Sequence, residues 1–132
     1  MDSQEKVRRI VSAALDKKGD KPIVFDTHEL TDVTDYVVVV GGTSDRQVRA
    51  IADNIEDSLR SQGEKPIGVE GQKEGRWILL DYVDIIVHVF YHPVREYYDI
   101  ERLWMDAPRY IPDVAGLSTE KTDGAPETGI GR

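Results

Sequence analysis

The stretch Asp35-Tyr36-Val37-Val38-Val39-Val40-Gly41-Gly42-Thr43-Ser44 decides the fold. Four consecutive valines without polar alternation suit a strand covered on both faces, as in the middle of an α/β sheet. The glycines at 41 and 42 are expected to break that strand. A helix follows to about Gln62, with Val48, Ile51, Ala52, Ile55 and Leu59 on one stripe. Ser44 and Gln47 have capping-box spacing, and Gly63 stands where a C-terminal cap belongs.

Upstream, Val7, Ile10, Val11, Ala14 and Leu15 recur with helical spacing and predict an amphipathic helix over 3–18, ended by Gly19. Pro22 precedes a short strand, Ile23-Val24-Phe25, which ends near His28. Downstream, a short strand over 66–70 leads into a loop of glycine and charge over 71–75. Trp77–Tyr82 and Ile85–Phe90 then form a hairpin. Pro93 suits the first turn of a third helix carrying Val94, Tyr97 and Tyr98, and a last helical turn holds Leu103 and Trp104. These elements predict one α/β domain over residues 1–112, with a mixed sheet flanked by helices. From Asp113 the chain turns to Gly, Ser, Thr and Pro without a periodic apolar face, so 113–132 reads as a disordered tail.

Composition bounds the function. With 132 residues, 39% hydrophobic and 32% charged, the chain is one ordinary globular domain. It has 0 cysteines, which excludes disulfides, a thiolate nucleophile and thiolate metal sites. No apolar run approaches the ~18 residues of a membrane span, and the charged, amphipathic N-terminus is unlike a secretion signal. A cytoplasmic location is expected, with no membrane partner. The net charge of -8 disfavours extensive direct nucleic-acid contact and favours a basic protein partner.

Three groups of residues invite chemistry. Gly41–Ser44 lies where a strand meets a helix, the setting of a phosphate site, yet matches neither G-x-G-x-x-G nor G-x-x-x-x-G-K-[ST], so it reads as a turn with Ser44 as cap in preference to phosphate binding. Asp81 and Asp84 stand three apart across a turn, a spacing at which two carboxylates need not converge on magnesium, so an acid-rich hairpin turn is the preferred reading. His28, His88 and His92 show no metal-ligand spacing, and Ser44 lacks a nucleophile elbow. No cofactor, metal or catalytic residue is therefore assigned. The alternative enzyme reading, a nucleotidyltransferase-like fold with phosphate at Gly41–Ser44 and magnesium at Asp81 and Asp84, requires metal-dependent nucleotide binding.

What remains is an acidic aromatic surface. Trp77, Leu79 and Asp81 alternate onto one face of their strand, and Ile78, Leu80 and Tyr82 onto the other. Between Asp81 and Asp106 there are six acids and two bases, interleaved with Tyr82, Tyr91, Tyr97, Tyr98 and Trp104. Aromatic anchors and rim acids suit a basic protein partner. The competing reading is that Trp77 and Tyr97 fill the core. A plain dimerisation module is a third reading, and predicts an apolar face instead of an acidic one.

The segments Thr34-Asp35-Tyr36-Val37-Val38-Val39, Gly42-Thr43-Ser44 and Val69-Glu70-Gly71 carry a further pattern. With Trp77-Ile78-Leu79-Leu80-Asp81-Tyr82-Val83-Asp84-Ile85-Ile86-Val87-His88-Val89-Phe90, Arg95-Glu96-Tyr97-Tyr98, Leu103-Trp104 and Asp106-Ala107, the chain resembles the ribosomal silencing factor family (the Iojap proteins) over residues 5–109. Val83 departs from the pattern: many members have glycine there, and valine makes a turn needing positive φ less accessible. The resemblance implies a nucleotidyltransferase-like fold without established catalysis. It also implies binding to large-subunit ribosomal protein fourteen, obstruction of small-subunit joining when nutrients are scarce, and, in some members, a homodimer. The partner-binding residues it points to are Trp77, Asp81, Tyr82 and Asp84, with Leu80, His88 and Trp104.

Overall fold

The computed structural model describes residues 1–117. Helix α1 (Ser3–Asp16) leads into β1 (Asp20–Asp26) and β2 (Tyr36–Gly42), followed by α2 (Asp45–Arg60). Strands β3 (Gly68–Glu70), β4 (Trp77–Asp81) and β5 (Ile85–Tyr91) come next, then α3 (His92–Tyr98) and a 3-10 turn over Ile100–Trp104. The strands form one sheet in the order β1-β2-β5-β4-β3. Only the β2–β5 pair is parallel, and the other neighbours run antiparallel. The expected mixed-sheet α/β domain is the one observed.

The valine run behaves as its composition demands. All seven residues of β2 are buried. Val38 and Val40 join the main core under α1 and α2, while Val37 and Val39 join a smaller core on the other face with Phe25, Phe90 and Ala107. Both long helices bury the stripes read from their spacing: Val7, Ile10, Val11 and Ala14 on α1, and Val48, Ile51, Ala52, Ile55 and Leu59 on α2. At the end of α2, Glu64 N–H bonds Leu59 O at 3.0 Å and Gly63 N–H bonds Arg60 O at 2.9 Å. Gly63 has φ +81, so this is the expected left-handed cap.

Four local expectations are corrected. Gly41 and Gly42 do not break β2; they pair with Phe90 and Tyr91 of β5 as its last residues. Their lack of a side chain makes room for neighbours, since a Cβ on Gly41 would lie 3.0 Å from the His92 ring, and one on Gly42 3.1 Å from Val48. Helix α1 stops at Asp16, and the left-handed residue is Lys18 (φ 65) instead of Gly19. Strand β1 begins earlier than expected, at Asp20, because a register shift between Asp20 and Ile23 accommodates Pro22 inside it.

The fourth correction concerns the chain after 112. Residues 108–110 run along the outer edge of β1, with Asp26 N–H bonded to Pro108 O and Tyr110 N–H to Val24 O. Val114 and Leu117 then pack, partly buried, against the main core. Packed chain thus extends past Pro112 to Leu117. The rest of the expected tail, 118–132, lies outside the described residues.

Candidate partner-binding face

The β4–β5 hairpin separates two environments by strand alternation. Ile78, Leu80, Val87 and Val89 are fully buried beneath α1 and α2. Trp77, Leu79 and Asp81 of β4 and Ile86, His88 and Phe90 of β5 take the opposite face. There Val94 of α3 and Ile100 and Trp104 of the 3-10 turn pack against the small core that holds Phe90, as does the partly buried Trp77. Leu79, Asp81, Ile86 and His88 remain half-buried. An apolar sheet face is left partly open to solvent.

Trp77 organises that face. Its indole N–H donates to Nδ1 of His88 at 3.0 Å. Its ring lies 4.8 Å from that of Phe90 and 5.1 Å from that of Tyr98, and Tyr97 meets Tyr98 edge-on at 5.0 Å. The His88 ring stacks on Phe90 within 14°. Burial pulls the His88 pKa down to about 4, so the imidazole is neutral, and Nδ1 accepts only when the proton sits on Nε2. The approach to β4 is fixed by Gly71 at φ +85, where a Cβ would fall 1.9 Å from the Trp77 carbonyl oxygen.

Arg95 anchors the flank. It is buried, and its guanidinium donates to Glu101 Oε2 at 2.7 Å and to the carbonyls of Asp20 and Lys21 at 3.2 and 2.9 Å. It ties α3 to the 3-10 turn and to β1; Tyr97, Tyr98, Leu103 and Met105 of this flank are exposed, and Tyr98 lies against Trp77. Sequence reasoning missed this role, because both carbonyls it binds are more than 70 positions away.

The expected binding residues do not all share this face. Trp77 and His88 are bonded together, Asp81 ends the same strand face, and Trp104 packs against the same small core as Trp77. Leu80 is wholly buried in the main core and cannot touch a partner, because its position on β4 turns it toward the helices. Tyr82 is 4% exposed on that same side. Its hydroxyl has no hydrogen-bond partner, and burial pushes its pKa above the usual tyrosine value.

Asp84 turns to α1. It accepts from Ser3 Oγ at 2.6 Å and from Lys6 Nζ at 3.0 Å, and Lys6 also pairs with Glu64 at 3.2 Å. Its carboxylate is committed to the fold. Tyr97, considered above as a core residue, is 80% exposed. Leu79 and Ile86 belong to the open face, and strand alternation alone finds them.

The groups weighed for chemistry are occupied otherwise. Ser44 Oγ accepts from Gln47 N–H at 3.1 Å, and Gln47 Oε1 accepts from both the backbone and the hydroxyl of Thr43. The first turn of α2 is thus closed by its own side chains. Asp81 accepts from Val83 N–H and diverges from Asp84. Among the described residues, no three His, Asp or Glu side chains gather in a geometry that could hold a metal ion, and no helix is long and apolar enough to cross a membrane.

The family profile described as ribosomal silencing factor during starvation matches residues 1–129. A ribosomal silencing factor from Bacillus subtilis is 39% identical over 107 residues, which cover 80% of this chain and 91% of that protein. One from Chromobacterium violaceum is 40% identical over 104 residues, 79% of this chain and 85% of that protein. A crystal structure of a Chromobacterium violaceum protein superimposes with a TM-score of 0.78 at 36% identity, covering 92% of this chain and 98% of that one.

Proposed function

Because the chain belongs to the ribosomal silencing factor family, we propose that it represses translation by binding the large ribosomal subunit through large-subunit ribosomal protein fourteen. Bound there, it occupies volume that the small subunit needs and lowers translation under nutrient limitation. The observation that carries this reading is the open apolar face around Trp77 and His88, edged by Asp81 and by the exposed aromatics of α3. Such a face suits a basic protein better than RNA, since the chain carries net charge -8.

The mechanism is steric. Inhibition follows occupancy and therefore the ratio of concentration to dissociation constant, and needs no turnover. Contact belongs to Trp77, His88, Asp81 and Trp104 among the residues the family resemblance points to, joined by Leu79, Ile86 and Tyr98. The protein acts where ribosomes are, in the cytoplasm. Off the ribosome the same half-open face suits a second copy of the chain, which sedimentation velocity at several concentrations tests.

The deciding experiment mixes purified subunits with increasing protein and resolves them on a sucrose gradient. The expected result is a dose-dependent loss of joined ribosomes, with the protein migrating with the large subunit. Unchanged joining at saturating protein overturns the reading.

A further inference from the structure

One end of the sheet carries a second exposed apolar surface, beyond the Asp81 end of the Trp77 face. Three connections meet there: the β1–β2 loop over 27–35, the β4–β5 turn over 82–84, and the lead into β3 over 64–67. They are bound to one another. The Asp84 carbonyl accepts from Asp35 N–H, Tyr36 N–H and the Thr34 hydroxyl at 2.9, 3.1 and 2.8 Å. Ile67 N–H donates to the Asp81 carbonyl at 2.7 Å. The long loop is also pinned from within, because the buried Thr27 hydroxyl donates to Thr34 O at 3.0 Å.

This fixed framework turns apolar side chains outward. Val33 is 78% exposed, Ile67 72%, Val83 56% and Leu30 51%. The charge among them is mainly acidic: the β1–β2 loop holds Glu29, Asp32 and Asp35 and no lysine or arginine, and Lys65, beside Glu64, is the one lysine or arginine of the three connections. Asp84 is already matched by Lys6, and His28 sits between Asp26 and Glu29, with Nε2 3.6 Å from the Glu29 carboxylate, so the exposed loop acids left without an ion pair among the described residues are Asp32 and Asp35. Apolar side chains set among unmatched carboxylates complement a chain that alternates apolar residues with cations, and repel a phosphate backbone.

We infer that this end of the sheet is a docking surface for a basic protein segment that places apolar side chains between its lysines or arginines. Affinity comes from covering Leu30, Val33, Ile67 and Val83, and orientation comes from Asp32 and Asp35. The surface meets the Trp77 face at Asp81, but its apolar side chains belong to other segments, so its test does not depend on the ribosome.

The test is a nuclear magnetic resonance titration of the full-length, nitrogen-15-labelled chain with a synthetic amphipathic peptide of leucine and lysine. Shifts are expected to concentrate in 27–35, 64–67 and 82–84. A second peptide with serine for leucine should bind at least about tenfold more weakly. Leu30→Ser with Val33→Ser should cause a similar loss at an unchanged melting temperature, since both side chains are exposed. The inference is overturned if shifts are absent or gather around Trp77, Leu79 and His88. Equal binding of the serine peptide, or the same shifts with oligouridine, overturns it as well.

Discussion

The indole N–H of Trp77 donates to Nδ1 of His88 across the hairpin, 3.0 Å away, and so ties an aromatic anchor to a titratable ring on the open face. The two residues are diagonal neighbours, because Trp77 pairs with Phe90 and His88 with Leu79. A proton on Nδ1 would break the bond. Burial holds the folded pKa of His88 near 4, against an ordinary value of 6.5. Between those values the unfolded chain binds a proton that the folded chain refuses, so stability falls as pH drops from about 6.5 to about 4. The histidine contribution across that window is on the order of 3 kcal/mol. Urea unfolding of the wild type and of His88→Asn at several pH values isolates it, and the variant is expected to show the shallower slope.

Trp77 and Asp81 should fail differently as binding residues. Trp77→Ala is expected to weaken large-subunit binding by about 2 kcal/mol or more at any salt, through lost desolvated contact. Asp81→Asn keeps an oxygen for the Val83 N–H. It should weaken binding mainly at low salt, through slower association. Because Trp77 also packs on Phe90, melting curves must accompany the affinities. A stable Trp77→Ala variant of unchanged affinity would remove Trp77 from the site.

Asp84→Ala should damage the fold before any interface. Burial pulls the Lys6 ammonium down, but its bonds to Asp84 and Glu64 outweigh that and hold it above the usual lysine range. Without Asp84, a buried lysine keeps only Glu64. A loss of about 2–4 kcal/mol is expected by chemical denaturation. Lys6→Met should cost less, since it leaves no buried unpaired cation.

Val83→Gly should stabilise the protein. Val83 has φ 75, and Asp84 N–H bonds Tyr82 O at 2.9 Å, which makes a γ-turn with a positive central angle. A β-branched residue is strained there, whereas glycine is at ease. After the extra flexibility of the unfolded glycine chain is subtracted, a gain of about 1 kcal/mol is expected in urea unfolding.

Gly41→Ala should have the opposite effect. The added methyl meets the His92 ring at 3.0 Å and the Arg95 guanidinium at 3.1 Å. Displacing Arg95 loosens its bonds to Asp20, Lys21 and Glu101. Thermal melting should report a loss of about 1–3 kcal/mol, in the range of an overpacked core.

The sequence by itself determined the elements whose signal is local. The valine run specified a strand buried on both faces, the 3.6-residue stripes specified α1 and α2, and the spacing of the two β-rich runs specified the β4–β5 hairpin. Ser44 and Gly63 marked the ends of α2, because a cap acts within a few residues of itself. Alternation along β4 also placed Trp77, Leu79 and Asp81 together, which is half of the candidate face. Other outcomes depended on partners distant in the chain, and no local pattern encodes them. Gly41 and Gly42 look like a turn until α3 and α2 pack against them, and only the packed neighbours explain the missing side chains. Asp84 looks like half of an acidic pair until α1 brings Lys6, 78 positions away, within 3.0 Å. Tyr82 looks like an interface aromatic until the strand turns it beneath the helices, and Val83 adopts positive φ because Tyr82, Asp84 and the Asp35 amide constrain the turn from both sides. Tertiary structure thus decided which polar and aromatic side chains are used up in the fold and which remain for a partner, since burial and ion pairing are properties of the assembled surface.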